Sequence, residues 1–133
     1  MTSAALLHKI ARQRAQAAQE LPKARLCARV VLALLADEAQ FHQAEAELKA
    51  ALGGNWSYVT AVQFMSGRQA RLCADCASPQ EQEPMLLAHQ LAESLCIRVC
   101  ERKFGFAELR LLMQDHLATA AGDPSPATQR ERS

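Results

Sequence analysis

Four of the five cysteines in this chain fall in two close pairs, an arrangement that could hold a metal ion. Cys73 and Cys76 form the first pair and Cys96 and Cys100 the second, with nineteen residues between the pairs. Zinc takes four thiolate or imidazole ligands in a tetrahedron, and paired cysteines commonly supply them. A metal site, a disulfide framework and a redox-active dithiol are therefore the first chemistries to weigh.

Helical spacing gives the same cysteines a structural role instead. Each pair is three or four residues apart, which places both thiols on one helix face. If two helices form a hairpin around residues 78–84, Cys96 lies about 18 Å along its helix from the loop, whereas zinc–sulfur bonds are only about 2.3 Å long. We therefore expect free cysteines that pack as small hydrophobic residues, with Cys96 nearer Met65 than Cys76, and no cofactor. A thiol or metal sensor remains an alternative.

A second candidate metal site combines histidine and glutamate from two helices. His42 shares a helix face with Glu38 and Glu45, and His89 shares one with Glu93, because these residues are three or four positions apart. Di-iron helical bundles use a Glu-x-x-His motif twice, and this sequence has none. We interpret these residues as solvated surface charges rather than as metal ligands.

One segment near the end of the chain carries a candidate catalytic pair. Arg110 and His116, with Leu-Leu-Met-Gln-Asp between them, resemble the arginine-to-histidine pattern of HEPN-type ribonucleases, which are all-helical proteins of about this size. The resemblance implies histidine as general acid or base and arginine as the group that holds phosphate charge. It departs from that family at Leu111, where a polar residue is characteristic. A ribonuclease of this kind, or another small nucleic-acid-acting protein, is the alternative from a different functional class.

Apolar residues recurring every three or four positions predict that helices position all these side chains. Pro22 should end or interrupt the first helix, and glycines after residue 52 should end the second. Asn55 can cap the third, and Pro84 should mark the start of the regular fourth helix. The expected helices cover residues 3–20, 23–52, 55–77, 84–103 and 106–120.

These elements predict an all-α fold, a small antiparallel helical bundle of four or five helices. A single helical domain should span residues 1–121, with a basic N-terminal helix at 3–20 and the bundle at 23–120. Residues 122–133 are polar and rich in proline, which is typical of a disordered tail.

Composition bounds the functional class. Half of the residues are apolar and the formal net charge is only +1, so no global charge favours nucleic acid, and no apolar run is long enough for membrane insertion. An odd cysteine count without a secretory signal favours a reducing intracellular compartment, the cytoplasm or nucleus. Six basic residues and one acidic residue in the first 29 also fit a mitochondrial presequence, so import there is a secondary expectation.

Stripes of apolar side chains, rather than converging polar groups, dominate the sequence. The predicted third helix is apolar around much of its circumference, and the first helix has a narrow apolar edge with a basic flank that suits helix-in-groove docking or dimerisation. We therefore expect a non-enzymatic protein–protein interaction module: an adaptor, assembly factor, chaperone-like protein or structural subunit of a homo- or hetero-oligomer. The expected partner-binding residues are Trp56, Tyr58, Val59, Phe64, Arg68 and Arg71.

Overall fold

The computed structural model describes residues 2–101 and 104–120, and every regular element in these ranges is an α-helix. The predicted all-α class is confirmed, and a helical bundle fits the arrangement. The predicted tail at 122–133 lies outside the described residues. The helices are α1 (Thr2–Ala33), α2 (Glu38–Leu52), α3 (Tyr58–Ser66), α4 (Arg68–Cys76), α5 (Pro79–Glu101) and α6 (Phe106–Ala120).

The first helix runs through Pro22, so the prediction that this proline ends or interrupts it is wrong. Proline has no N–H to donate to the carbonyl four residues earlier, here that of Ala18. Both residues are exposed, so water can satisfy the freed carbonyl. Ala17 and Ala24, on either side, are fully buried. Their packing holds α1 helical across the proline.

The chain turns after Ala33, inside the segment predicted to be one helix over 23–52. Leu34 and Leu35 donate backbone hydrogen bonds to carbonyls only three residues back, which tightens the end of the helix. Asp37 then caps α2, because its carboxylate accepts a 2.8 Å hydrogen bond from the backbone N–H of Gln40. The apolar spacing continues across this turn, and for that reason periodicity alone did not reveal the break.

The predicted third helix is divided at Gly67 into α3 and α4. Gly67 has extended backbone angles, with φ of −83° and ψ of 165°, and this conformation breaks the helix between α3 and α4. The predicted cap is also corrected. Ser57 rather than Asn55 is the N-cap of α3, and its hydroxyl accepts a 3.2 Å hydrogen bond from the N–H of Val59.

The fifth helix begins at Pro79, five residues before the predicted start at Pro84. Glu81 stabilises this early start, since its carboxylate accepts a 3.3 Å hydrogen bond from the backbone N–H of Ser78. Pro84 lies inside the helix and is exposed, so its missing N–H costs no buried hydrogen bond.

Small side chains build much of the core, which allows the helices to approach closely. The first helix is central, since it contacts α2, α3, α4 and α5. Alanines form much of its interface, and longer apolar side chains from the neighbouring helices complete the core. The core includes Ala17, Ala24, Ala28, Val31, Leu48, Ala61, Met65, Ala88, Leu91, Leu95, Leu109 and Met113.

Candidate functional site

The first cysteine pair faces the central helix. The thiol of Cys73 lies 3.3 Å from the carbonyl oxygen of Ala17, and the thiol of Cys76 lies 3.8 Å from that of Arg14. Both thiols can donate to these α1 carbonyls, which are weak contacts typical of packed cysteines. This pair therefore fastens α4 to α1.

Cys96, the first cysteine of the second pair, contacts a different helix. The sulfur of Cys96 lies 3.3 Å from the hydroxyl oxygen of Ser66, at the end of α3. Ser66 follows Met65 in sequence, so this contact places Cys96 near the end of α3. The side chain of Cys100 lies outside the described residues.

Burial makes two of the thiols poor nucleophiles. Burial raises the pKa of Cys27 to about 12 from its ordinary value near 9. Burial, with smaller contributions from the nearby Glu20 carboxylate and from Cys76, raises the pKa of Cys73 to about 11. Because the thiolate is the reactive form, both groups stay protonated and inert at neutral pH.

The candidate metal ligands on α2 do not point to one place. His42 and Glu38 form an exposed pair with a 3.2 Å separation between nitrogen and oxygen. Glu45 turns away from them, because its carboxylate accepts a 2.8 Å hydrogen bond from the backbone N–H of Tyr58, the first residue of α3. This carboxylate thus satisfies one of the unpaired N–H groups at the start of that helix.

His89 was interpreted from the sequence as a solvated surface residue, which is wrong, since it holds the other end of α3 from the interior. It is buried, and its Nδ1–H donates a 2.7 Å hydrogen bond to the carbonyl oxygen of Met65. Its Nε2 faces the carboxylate of Glu93 at 3.6 Å. Within residues 2–101 and 104–120, no three His, Cys, Asp or Glu side chains converge as metal ligands.

Two of the expected partner-binding aromatics flank a lysine on the surface. Trp56 and Phe64 are half-buried and pack against the core. The Lys23 ammonium lies 5.6 Å from the centroid of each ring, a geometry that favours cation–π attraction. Both rings therefore already make contacts within the molecule.

Tyr58 has two ties to the rest of the fold. Its hydroxyl accepts a 2.8 Å hydrogen bond from the backbone N–H of Phe104, between α5 and α6. Its ring lies 6.1 Å from Phe41, which in turn lies 5.5 Å from Phe106. The neighbouring Val59 is half-buried. The aromatic cluster joins α2, α3 and α6.

The basic residues among the expected partner-binding residues are more exposed than the aromatic ones. Arg68 and Arg71 are both exposed at the start of α4, and neither has an ion-pair partner among the residues described. Arg110 is half-buried with its guanidinium 5.8 Å from the centroid of Phe106. The side chain of His116 lies outside the described residues, so the ribonuclease-like pair stays a prediction.

Two arginines of α1 are used to hold the fold. Arg25 binds Glu81 of α5 through two hydrogen bonds of 2.8 and 3.1 Å, and Arg29 pairs with Glu47 of α2. The hydrogen bond from Arg25 lowers the pKa of the Glu81 carboxyl to about 2. These two ion pairs connect the central helix to α5 and to α2.

The start of α1 is different, because residues 3–12 are exposed along their whole length. We call this segment the N-terminal arm. It nevertheless carries large apolar side chains: Leu6 is 57% exposed, Leu7 67% and Ile10 39%. The sequence predicted this narrow apolar edge, as a feature that suits helix-in-groove docking or dimerisation.

A groove lies between the second half of α1, the α2 helix and the start of α5, with a volume of about 520 Å³. We call it the α2–α5 groove. Its buried lining is apolar and its rim is polar. Buried lining residues are Ala28, Ala33, Ala44 and Met85, and rim residues are Arg25, Arg29, Gln40, Gln43, Glu47, Gln80 and Glu81. No local sequence pattern predicts this groove, because three segments that are distant in sequence form it.

Comparison with protein-family models, curated proteins and solved structures found no match to this chain. In the part of the chain that the structure describes, no helix has the length and apolar character needed to cross a membrane. Functional inference therefore rests on the exposed arm, the groove and the charges around them.

Proposed function

We propose that this protein is a non-enzymatic protein–protein interaction module, an adaptor or structural subunit that docks through its N-terminal arm. The body of the molecule, interpreted as an antiparallel bundle, holds the arm in place through the rest of α1. The observation that carries the proposal is the exposure of Leu6, Leu7 and Ile10 on the N-terminal arm. Such a contiguous apolar edge favours contact with another protein surface.

The arm continues the face that α1 buries elsewhere. Ile10, Ala17 and Ala24 are seven residues apart, which is close to two helical turns, so they share one side of the helix. Ala17 and Ala24 are fully buried, whereas Ile10 remains 39% exposed. The side of α1 that packs in the core thus extends past the body and is available for a second surface.

Charge adds specificity to this edge. Lys9, Arg12 and Arg14 are the charged residues of the chain before Glu20, so the arm and its continuation are purely basic. An apolar stripe with one sign of charge favours a partner surface that combines an apolar groove with carboxylates. The surface around Trp56, with Arg68 and Arg71, stays a second proposed contact.

The experiment compares three forms of the full chain as bait in cross-linking and affinity purification from the native host. These are the wild type, Leu6→Glu/Leu7→Glu and the control Leu111→Glu, whose leucine is as exposed as Leu7 at 67%. We expect the arm variant to lose the association and the control to keep it. Equal recovery of partners by all three forms would reject docking through the arm.

A further inference from the structure

We infer that the occupant of the N-terminal arm is an acidic amphipathic helix of a partner protein, which packs along the arm in line with α4. The inference rests on the proposed function, because it names the chemistry of the partner that the same arm docks to. Two observations carry it. The apolar face of the arm continues an interface that α1 already makes with α4, and the charged side chains beside this face are basic.

The α4 helix shows how this face of α1 is covered within the molecule. The thiol of Cys73 lies 3.3 Å from the carbonyl oxygen of Ala17. One turn further along α4, the thiol of Cys76 lies 3.8 Å from the carbonyl oxygen of Arg14. The contacts move toward the start of α1 as α4 advances, so these two helices run in opposite directions where they meet. Cys76 is the last residue of α4, and the cover that α4 gives to α1 therefore stops opposite Arg14.

Beyond that point, α1 continues as an exposed helix. Residues 3–12 extend over about 15 Å at 1.5 Å per residue. Leu6 and Ile10 precede Ala17 by eleven and seven residues, which is close to three turns and two turns, so all three share one side of α1. Ala17 is fully buried, whereas Leu6 and Ile10 are exposed. A second helix that continues the line of α4 therefore meets Leu6 and Ile10 as α4 meets Ala17.

Basic side chains lie on both edges of this face. Successive residues of an α-helix are turned by about 100°, which places Lys9 on one edge of the line from Leu6 to Ala17 and Arg14 on the other. Both are exposed, and neither has an ion-pair partner among the residues described. Charges that flank an apolar helical seam select a partner helix of opposite charge. A helix with carboxylates beside its apolar face therefore fits the arm, whereas the arm of a second copy presents like charges.

The test uses two synthetic three-heptad peptides as probes for the full chain. Both carry isoleucine and leucine at the a and d positions, and they differ in having glutamate or lysine at e and g. Fluorescence anisotropy of each labelled peptide measures its binding. We expect the acidic peptide to bind, more weakly as salt is added, and the lysine peptide to bind about tenfold more weakly or less.

Reversing the charge of the arm should reverse this preference. Lys9→Glu/Arg14→Glu is expected to lose about tenfold or more in affinity for the acidic peptide, because like charges then face one another, and to gain affinity for the lysine peptide. Arg68→Glu/Arg71→Glu is the matched control, since it makes the same change of charge at exposed positions of α4. The control should keep the wild-type preference. Circular dichroism of each variant checks that the helices are intact.

Three results overturn the inference: an acidic peptide that does not bind, equal binding of the two peptides, or a wild-type preference in the charge-reversed arm variant. Loss of acidic-peptide binding in the control alone places the contact on α4 and also overturns it. Sedimentation that shows the wild type pairing through its arm assigns the arm to a second copy, with the same consequence.

These failures are distinguishable from failure of the proposed function. If no peptide binds but Leu6→Glu/Leu7→Glu still loses the partner in the cross-linking experiment, the arm remains the docking element. Only the acidic helix as its occupant is then rejected.

Discussion

His89 and Glu45 hold opposite ends of α3. A nine-residue helix has few internal hydrogen bonds relative to its unpaired end groups, so partners for those groups matter. Glu45 accepts from the N–H of Tyr58 at the start, and His89 donates to the carbonyl of Met65 near the end. Their spacing suggested metal ligands, because the sequence did not show that α3 is a separate short helix whose ends need support.

Replacing the buried histidine tests this role. His89→Leu should lower the free energy of unfolding by about 1–3 kcal/mol, because the Met65 carbonyl loses its hydrogen-bond donor in a buried setting. His42→Leu, at an exposed position of α2, should change it by no more than about 0.5 kcal/mol. Urea unfolding measures both, and equal effects of the two substitutions would contradict the role assigned to His89.

Thiol reactivity should divide the cysteines by burial. Raised pKa values of about 12 for Cys27 and about 11 for Cys73 keep both thiols protonated at neutral pH. We expect iodoacetamide to alkylate the half-exposed Cys76 and Cys96 first, and the two buried thiols only after unfolding. Peptide mass spectrometry of native and denatured samples gives the order. Rapid native labelling of Cys73 would support the thiol-sensor alternative instead.

The helical nature of these segments was predictable from the sequence, whereas the residues at which the helices begin and end were predictable only in part. The apolar period correctly predicts helix over most of each segment, but it continues through the turn before Asp37 and across Gly67, and so conceals two breaks. At Pro22 and Pro84 the opposite happened: the sequence predicted a helix boundary, and the helix continues through each proline. Both lie on exposed helix faces, where packing of neighbouring residues outweighs the lost hydrogen bond.

Gly53 ends α2 in a conformation that favours glycine, with φ of 118°. Gly53→Ala should lower the free energy of unfolding by about 1–3 kcal/mol, because an L side chain is strained at this φ. Gly54→Ala is the matched control, since a Cβ there meets no atom within 4 Å and its φ is not positive. Thermal and urea unfolding compare the two, and a larger loss at Gly54 would refute the assignment.

The ion pair between α1 and α5 predicts a dependence on pH. The folded pKa of Glu81 is about 2, below its ordinary value of 4.5, so the pair contributes stability above about pH 4.5. That contribution should be lost as the pH falls from about 4.5 to about 2. Glu81→Gln should therefore differ from the wild type at neutral pH and converge with it in acid. Urea midpoints across this range measure the effect.

Glu83→Gln is the matched control for that series. Its carboxylate is exposed two residues away and has no ion-pair partner among the residues described. We expect a smaller change from the wild type at neutral pH than Glu81→Gln gives. Equal curves for the two variants would show that the pair with Arg25 adds no stability.

At the scale of the whole molecule, the basic excess is confined to the first 29 residues, which carry six basic residues and one acidic residue although the net charge of the chain is only +1. The apolar edge and basic flank of the first helix were predictable, because both are local in sequence. The expected partner-binding residues lie just before α3, on α3 and at the start of α4, and their three aromatic side chains are half-buried. The groove was not predictable, because its lining comes from segments up to 60 residues apart that only the fold brings together.

The central claim is that the N-terminal arm docks to a partner and is not part of the core. The most direct measurement gives stability and association for one full-length variant, Leu6→Gln/Leu7→Gln/Ile10→Gln. Because these side chains are exposed, the free energy of unfolding in dilute protein should stay within about 1.5 kcal/mol of the wild type. Affinity purification from the native host, with the wild type and this variant as bait, should show that the variant no longer recovers the partner. A loss of several kcal/mol, or association at wild-type strength, would contradict the claim.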